Sequence, residues 1–255
     1  MPVLNGLFHV HSDYSYDGKL SLEKIKSACK HYGFDFVILA EHSQSLDDKK
    51  AEEFRKKCRE LSDGDVVLIP SVEYSCEGGM HIVGLGVSEI ISETKVDAVI
   101  KKIRDLGGFP IMAHPTKYEN FNTEGVEGLG GVELWNFSYD GLWPRKRGIE
   151  IFSEMKKKDE NLLSFFGLDL HYFYRFFLAE KLLMSMKIES EKTEKTVIAA
   201  LRNGEFYFEN LFFCSDSKGN VIMPKMFSEV SAKVYDFSKS SFKFFLKVKK
   251  KLRRR

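Results

Sequence analysis

The stretch "HVHSDYSYDG" places His9 and His11 one residue apart, with a carboxylate following at Asp17. Imidazole nitrogens and carboxylate oxygens together form a donor set suited to Zn, Mn or Fe, so the first chemistry on offer is metal binding. The same residue types recur along the chain. His42 stands in "AEHS", Glu73 in "VEYS", His81 in "MHIVGLG", His114 in "MAHP", Glu133 in "GVELWN", and Asp169 and His171 in "GLDLH". Six of the seven histidines fall in these motifs, and His31 alone lies in a helical pattern. One histidine on an apolar strand is usually a hydrogen-bonded core residue, but six at matching places are poorly explained as six independent core residues.

The elements that must position these residues can be read from the hydrophobic pattern. Apolar runs at 5–11, 34–42, 65–75, 81–86, 109–115, 131–136 and 162–171 mostly lack polar alternation, as strands covered on both faces do. Helical spacing fills 21–33, with Ser21 as cap and Gly33 as stop, and also 47–64, 96–108, 147–158 and 193–204. Strands alternating with helices predict a parallel sheet or barrel. The stretch "SVEYSCEGGMHIVGLG" breaks the alternation, because a Gly-Gly turn between two strands makes them antiparallel neighbours. That hairpin would bring His81 back alongside Glu73.

On these strands the candidate ligands lie at or near C-terminal ends, with His81 just after the turn; in a β/α barrel the active site is built at that end. Residues i and i+2 on a strand point the same way, so His9 converges with His11 and Asp169 with His171. If the barrel closes, the first and last strands become neighbours, and these four residues could surround one ion.

The rest of the composition sets bounds. With 255 residues and 43% hydrophobic content, the chain can bury one well-formed core. It has no apolar run of about 18 residues and no basic-then-apolar start, so neither a transmembrane helix nor a signal peptide is expected. Cys29, Cys58, Cys76 and Cys214 lack paired spacing and read as reduced thiols of a cytoplasmic protein. The net charge of +2 conceals an asymmetry: residues 239–255 hold nine Lys and Arg and no acid, which leaves −7 on the remainder. The expected organisation is a metallo-barrel at 1–210, an extension at 211–238 packed on or near it, and a basic tail at 239–255. Phe242, Phe245 and Leu246 in the tail have helical spacing. The tail is a candidate contact for a polyanion, either nucleic acid or an anionic membrane surface, with a solvated end as the alternative.

The motifs quoted above, taken together, resemble the PHP family (polymerase and histidinol phosphatase) over roughly residues 5–210. The resemblance implies a distorted (β/α)7 barrel of the TIM-like kind, holding two or three divalent metal ions and hydrolysing phosphate esters. It implies His9, His11 and Asp169 as ligands of a first ion and Glu73 as the carboxylate bridging to a second. His81 and His114 would complete the second, and Asp17, His42 and His171 would hold a third. The sequence departs from the family pattern at two places. Ala40-Glu41-His42 replaces a Thr-Asp-His, a change expected to be tolerated because residue 41 should point away from the ligand face. Leu168 removes a hydroxyl that could support the ligands next to it.

The implied chemistry follows from charge. Three divalent ions against Asp17, Glu73 and Asp169 would leave +3 before any hydroxide, attracting a phosphate and bringing a bridging water toward ionisation. The leaving oxygen could take its proton from bound water, His42 or His171, which the sequence does not separate. Lys117 is either a phosphate contact or a solvent-exposed lysine, and Arg145, Lys146 and Arg147 are either substrate contacts or a solvated helix start. Glu133 reads as a supporting carboxylate and Cys76 as packing. The function expected is a phosphoesterase acting on a small phosphorylated metabolite or nucleotide, with no obligate partner. The alternatives are a nuclease acting on single-stranded ends, a non-catalytic metal-bound binding module, or hydrolysis of a C–N bond on a similar barrel.

Overall fold

The computed structural model describes residues 1–118, 125–182 and 184–222. The first half of the chain runs β1 (Val3–Val10), α1 (Leu22–Tyr32), β2 (Phe36–Leu39), β3 (Glu41–His42), α2 (Asp48–Leu61), β4 (Val67–Ile69), β5 (Val72–Ser75), β6 (His81–Leu85) and α3 (Val96–Asp105). It continues through β7 (Phe109–Met112), β8 (Gly131–Asn136), α4 (Phe137–Asp140), α5 (Lys146–Lys158), β9 (Leu163–Gly167), α6 (Phe173–Lys181), β10 (Ser185–Glu189), α7 (Glu194–Arg202), β11 (Phe206–Glu209), β12 (Cys214–Asp216) and β13 (Val221–Ile222).

The apolar runs expected as strands are strands, with two interruptions. The run 34–42 divides at Ala40 into β2 and β3, and 65–75 divides at Pro70 and Ser71 into β4 and β5. Proline has no N–H to give to a ladder, which accounts for the second break. Each broken strand crosses from one sheet to the other. One sheet has the order β13-β12-β11-β10-β1-β2-β4 and the other β3-β5-β6-β7-β8-β9. On the far side, the end of β9 returns to β1: Leu168 N–H donates to Phe8 O (3.0 Å), Leu170 N–H to His9 O (3.1 Å), and His11 N–H to Leu170 O (2.8 Å). Seven strand lines therefore form the distorted (β/α)7 barrel expected from the sequence. Among them β6 alone runs antiparallel to its neighbours, pairing Ser75 with His81 as the Gly-Gly turn predicts. Its reversed direction puts its first residue, His81, at the same barrel end as the last residues of the other strands.

The helices begin and end where local chemistry dictates. Ser21, Asp47 and Thr193 cap α1, α2 and α7 by accepting backbone N–H groups, and Gly33 ends α1 in the left-handed conformation. α3 lies on β6 and β7, and α5 lies on β8. Inside the barrel wall, Phe165 packs against Phe8 (ring centroids 5.4 Å apart) and Phe206 (5.0 Å). Burying a side chain of this kind contributes roughly 1.5–3 kcal/mol.

β10 to β13 leave the ring as an antiparallel extension of β1, so 211–222 continue the sheet begun within 1–210. The rest of the 211–238 extension and the basic tail at 239–255 lie outside the described residues. Among the described residues no helix is long and apolar enough to cross a membrane, and Cys29, Cys58, Cys76 and Cys214 are free thiols.

Candidate metal centre

The ligand candidates are presented by unusual backbone. Three described residues other than glycine have positive φ: His9 (66°), His114 (34°) and Asp169 (53°). Such conformations cost of order 1–3 kcal/mol each and persist only where the surroundings impose them. His9 sits where the register of β1 against β2 shifts, between Phe8 and Val10. His114 N–H donates to Glu133 Oε2 (2.7 Å). The Asp169 carbonyl accepts from Ser138 Oγ (3.0 Å) and Arg175 Nη1 (3.0 Å). His9 and His11 do converge as expected, with ring centroids 5.1 Å apart, but through a bulge rather than by simple strand alternation.

Glu73 occupies the middle. Its Oε1 lies 2.9 Å from both His81 Nδ1 and His114 Nε2 and 3.6 Å from His9 Nε2. Its Oε2 lies 2.9 Å from His42 Nδ1 and 3.8 Å from His11 Nε2. Asp169 Oδ1 stands 3.4 Å from His11 Nε2 and 4.0 Å from His9 Nε2. Toward the mouth, Asp17 Oδ1 meets His42 Nε2 at 3.3 Å and Asp17 Oδ2 meets His171 Nε2 at 3.2 Å. Donor atoms close enough to share an ion form three groups: His9 with His11 and Glu73; Glu73 with His81 and His114; and His11, Asp17, His42 and His171. Eight of the nine expected ligands fall in these groups, and Asp169, which is in none of them, stands beside His11 and His9. Glu73 belongs to two groups, as a bridging carboxylate would, and so does His11, which the resemblance gave to the first ion alone.

These residues fit divalent ions. His9 Nδ1 meets Glu133 Oε1 at 2.7 Å, His11 Nδ1 meets Ser15 Oγ at 3.2 Å, and His171 Nδ1 meets the Asp169 carbonyl at 3.0 Å. Each contact directs one ring nitrogen outward and turns the other, Nε2, inward, the arrangement common around metal-ligating histidines. Those three Nε2 atoms, with Glu73 Oε2, Asp17 Oδ1 and His42 Nδ1, are buried and make no well-formed hydrogen bond, although several of them face one another. Leaving so many polar atoms buried without a well-formed hydrogen bond is costly unless a cation meets them. Burial lowers the His11 pKa to about 4, which keeps its ring neutral. Burial alone would raise the Glu73 carboxyl, but His9, His114, His42 and His81 more than offset it and hold it well below the usual range.

Glu133 is the supporting carboxylate the sequence suggested. Besides His9 and His114 it accepts from Asn136 Nδ2 (2.8 Å). It reaches that place because residue 167 is glycine: a Cβ there would stand 1.9 Å from Glu133 Oε1. Lys117 is exposed at the rim, its Nζ 5.7 Å above the Tyr139 ring centroid, and that ring lies 4.9 Å from His114. Arg145 donates to Tyr139 O (2.6 Å), Arg147 to Tyr118 O (2.5 Å), and Lys146 pairs with Glu150 (3.6 Å). Cys76 is buried, and burial pushes its thiol up to about 12.

Sequence reasoning missed Glu41. It is fully buried, and its carboxylate accepts Ser12 N–H (2.9 and 3.2 Å) and the Ser15 hydroxyl (2.6 Å). Ser15 Oγ in turn accepts His42 N–H (3.0 Å) and meets His11 Nδ1, so Glu41 ties the turn after β1 to the strand that carries His42. Burial raises its pKa to about 7. The available signal was a carboxylate inside an otherwise apolar run.

A barrel with imidazoles and carboxylates gathered at one end is the architecture of a metal-dependent hydrolase. The sequence matches the PHP domain over residues 8–208, and the chain belongs to that family. Comparison with curated proteins gives no match. Among solved structures the chain is similar to PsfC from Pseudomonas syringae PB-5123 (12% identity, TM-score 0.55), covering 93% of this chain and 99% of that one. It is similar to the lesion-specific endonuclease PfuEndoQ from Pyrococcus furiosus (14% identity, TM-score 0.52), covering 80% of this chain and 56% of that one. It is also similar to a proposed metal-dependent phosphoesterase from Bifidobacterium adolescentis (14% identity, TM-score 0.50), covering 67% of this chain and 89% of that one. At these identities the likeness concerns the fold.

Proposed function

We propose that the chain is a metal-dependent phosphoesterase that hydrolyses a phosphate ester of a small phosphorylated molecule or nucleotide. The observation that carries this reading is the convergence around Glu73 of buried donor atoms that make no well-formed hydrogen bond. His9, His11 and Asp169 would hold one ion, His81 and His114 a second, and Asp17 and His171 with His42 a third, with Glu73 shared by the first two. Two or three Zn, Mn or Fe ions held there would supply positive charge to a phosphate and lower the pKa of water toward neutrality.

The chain's own residues do the positioning. Glu133 fixes the His9 tautomer and Ser15 orients His11, while the closed wall around Glu73 keeps bulk water from weakening the electrostatics. The mouth is at Asp17, whose side chain is 37% exposed against 1% for Glu73, so a phosphate would approach from that side. His42 or His171 would be placed to give a proton to the leaving oxygen when not engaged by an ion, and Lys117 at the rim would contact a phosphate oxygen.

The test is a panel assay on protein loaded with Mn, Zn or Fe. It compares sugar phosphates, nucleotides, generic phosphodiesters and single-stranded oligonucleotides. Metal-dependent hydrolysis of at least one ester, abolished by chelator, is the expected result. A protein that binds two or more ions per chain and cleaves none of them would defeat the reading.

A further inference from the structure

One backbone carbonyl joins the two ends of the metal centre. Asp169 O accepts from three donors at once: His171 Nδ1 (3.0 Å), Ser138 Oγ (3.0 Å) and Arg175 Nη1 (3.0 Å). Arg175 Nη1 also donates to Ser138 Oγ. The hydrogens balance. One N–H of Nη1 goes to the hydroxyl and the other to the carbonyl, and the hydroxyl passes its own hydrogen to the same carbonyl. Arg175 lies in α6 and Ser138 in α4, so two helices that supply no ligand meet on one peptide of the ligand-bearing segment.

That peptide controls ligands on both sides. Asp169 is in the left-handed region (φ 53°), which it keeps only where its surroundings impose it. Its side chain faces the inner end, with Oδ1 3.4 Å from His11 Nε2 and 4.0 Å from His9 Nε2. Its carbonyl faces the outer end. A carbonyl only accepts, so His171 Nδ1 carries the hydrogen and Nε2 turns its lone pair toward Asp17 Oδ2, 3.2 Å away. Two acceptors facing each other are an arrangement that a shared cation satisfies. Turning the peptide would take the carboxylate away from His9 and His11 and release the His171 ring in the same movement.

The local sequence does not supply this hold. Leu168 is buried and apolar, and gives no side-chain donor where a hydroxyl would have served. The hold comes instead from Arg175, whose planar fork reaches both acceptors and whose guanidinium carbon lies 5.7 Å from the Phe137 ring centroid. The group of Glu73, His81 and His114 is held by other means. Glu133 accepts His114 N–H, and Tyr118 Oη accepts His81 N–H (2.9 Å).

Resting on the metal-dependent reading above, we propose that Arg175, together with Ser138, is a positioning residue that couples two ion sites by holding the Asp169 peptide. One is the site of His9, His11 and Asp169, and the other is the site of Asp17, His42 and His171. The site of His81 and His114 lies outside this coupling.

The test is calorimetric titration of the metal-free full chain with Mn or Zn alone, with elemental analysis of the ions retained. Arg175→Met keeps the stem of the side chain and removes its donors. It is expected to weaken the ions at the two coupled sites by about 10- to 100-fold and to leave one ion bound as tightly as in wild type. Adding His81→Ala should remove that remaining ion. Arg175→Lys, which restores a donor without the fork, should recover part of the loss. Ser138→Ala should act in the same direction as Arg175→Met. The double variant should lose less than the sum of the two, because both act through one carbonyl.

Wild-type affinity for every ion in Arg175→Met would overturn the proposal. So would equal weakening at all sites, which marks a general loss of structure, or a remaining ion that survives His81→Ala. A Lys variant no better than the Met variant, or losses that simply add, would overturn it too. These measurements read the metal and no ester. Ions that behave as expected in a chain that cleaves no ester would defeat the phosphoesterase reading and leave the role of Arg175 standing. Hydrolysis by a chain whose ion affinities ignore Arg175 would do the reverse.

Discussion

The two ends of the metal centre are built differently. Around Glu73 the side chains are closed off from solvent, and the chain's own groups fix them: Glu133 holds His9 and the backbone of His114, Ser15 holds His11, and Tyr118 Oη lies 3.3 Å from His114 Nδ1. Around Asp17 the site is half-open, and the carboxylate faces His42 and His171. The inner end is closed and held by many of the chain's own groups, whereas the outer end is open to what approaches it. Backbone strain divides the same way, since His9, His114 and Asp169 all surround the inner end. The inner end should therefore set metal affinity and stability, and the outer end should set what is recognised.

The largest break in this contrast is Glu73→Ala. It removes an anion that two ion positions share and leaves those positions to repel each other. Elemental analysis should find both inner ions lost, with activity falling further than the 10- to 100-fold usual for supporting residues. Asp17→Ala should cost at most the outer ion. Greater losses of metal and activity in Asp17→Ala would reverse the assignment of the bridge.

Removing the ions themselves should be nearly as large an effect. Each ion present at 100 times its Kd contributes about 2.7 kcal/mol of stability. Dialysis against chelator should lower Tm by several degrees, and Mn or Zn should restore it. In Glu73→Ala the chelator-dependent shift should nearly disappear. A shift of full size in that variant would place the stabilising ion elsewhere.

Glu133→Gln tests the support rather than the ligands. His9 Nδ1, His114 N–H and Asn136 Nδ2 all point at this carboxylate, so an amide would turn an N–H toward donors. A loss of roughly 10- to 100-fold in metal affinity is expected, along with about 1–3 kcal/mol of stability. Wild-type metal affinity in this variant would reduce Glu133 to packing.

Much of this was readable in the sequence because it is local. Apolar runs ending in His or Asp gave the strand ends, Ser21 and Gly33 gave the limits of α1, and Gly78-Gly79 gave the return from β5 to β6. What could not be read depends on distant parts of the chain. The left-handed backbone at His9, His114 and Asp169 is imposed by partners such as Leu170, Glu133 and Arg175, and no glycine announces it. Glu41 acts on Ser12 and Ser15 from another strand. The segment that begins at Tyr172 contains α6, and no local pattern in the sequence places its aromatic start near His171. Propensity alone does not settle such a segment, because tertiary context decides it.

A smaller effect separates the inner support from its own scaffold. Asp140 accepts Asn136 N–H (2.8 Å) and the Thr116 hydroxyl (2.6 Å), and Asn136 in turn holds Glu133. Burial raises its pKa to about 6 from an ordinary 3.8. Between these values the folded chain keeps a proton that the unfolded chain has released. The associated stability is full below about pH 4 and is lost as pH rises through about 6. Denaturant unfolding across that window should show a decline in both wild type and Asp140→Asn, because buried Glu41 titrates in both, but one larger in wild type by roughly 1–3 kcal/mol. Parallel curves would mean that Asp140 titrates normally.

The smallest effect expected is on small-substrate turnover when residues 239–255 are deleted. All nine candidate ligands precede this segment, so neither end of the centre draws on it. Its nine positive charges should act only on a polyanion, by releasing counterions, and that contribution should weaken as salt rises. The measurement pairs turnover of a small phosphate ester with binding of single-stranded nucleic acid and of anionic vesicles. Each is run at low and high salt for the full and the shortened chain. Turnover should be nearly unchanged, while salt-sensitive binding to one of the polyanions falls. A large loss of turnover would mean that the tail completes the outer end of the centre. Loss of oligonucleotide cleavage with small-ester turnover intact would mean that the outer end works on a strand that the tail retains, and would move the function to a nuclease.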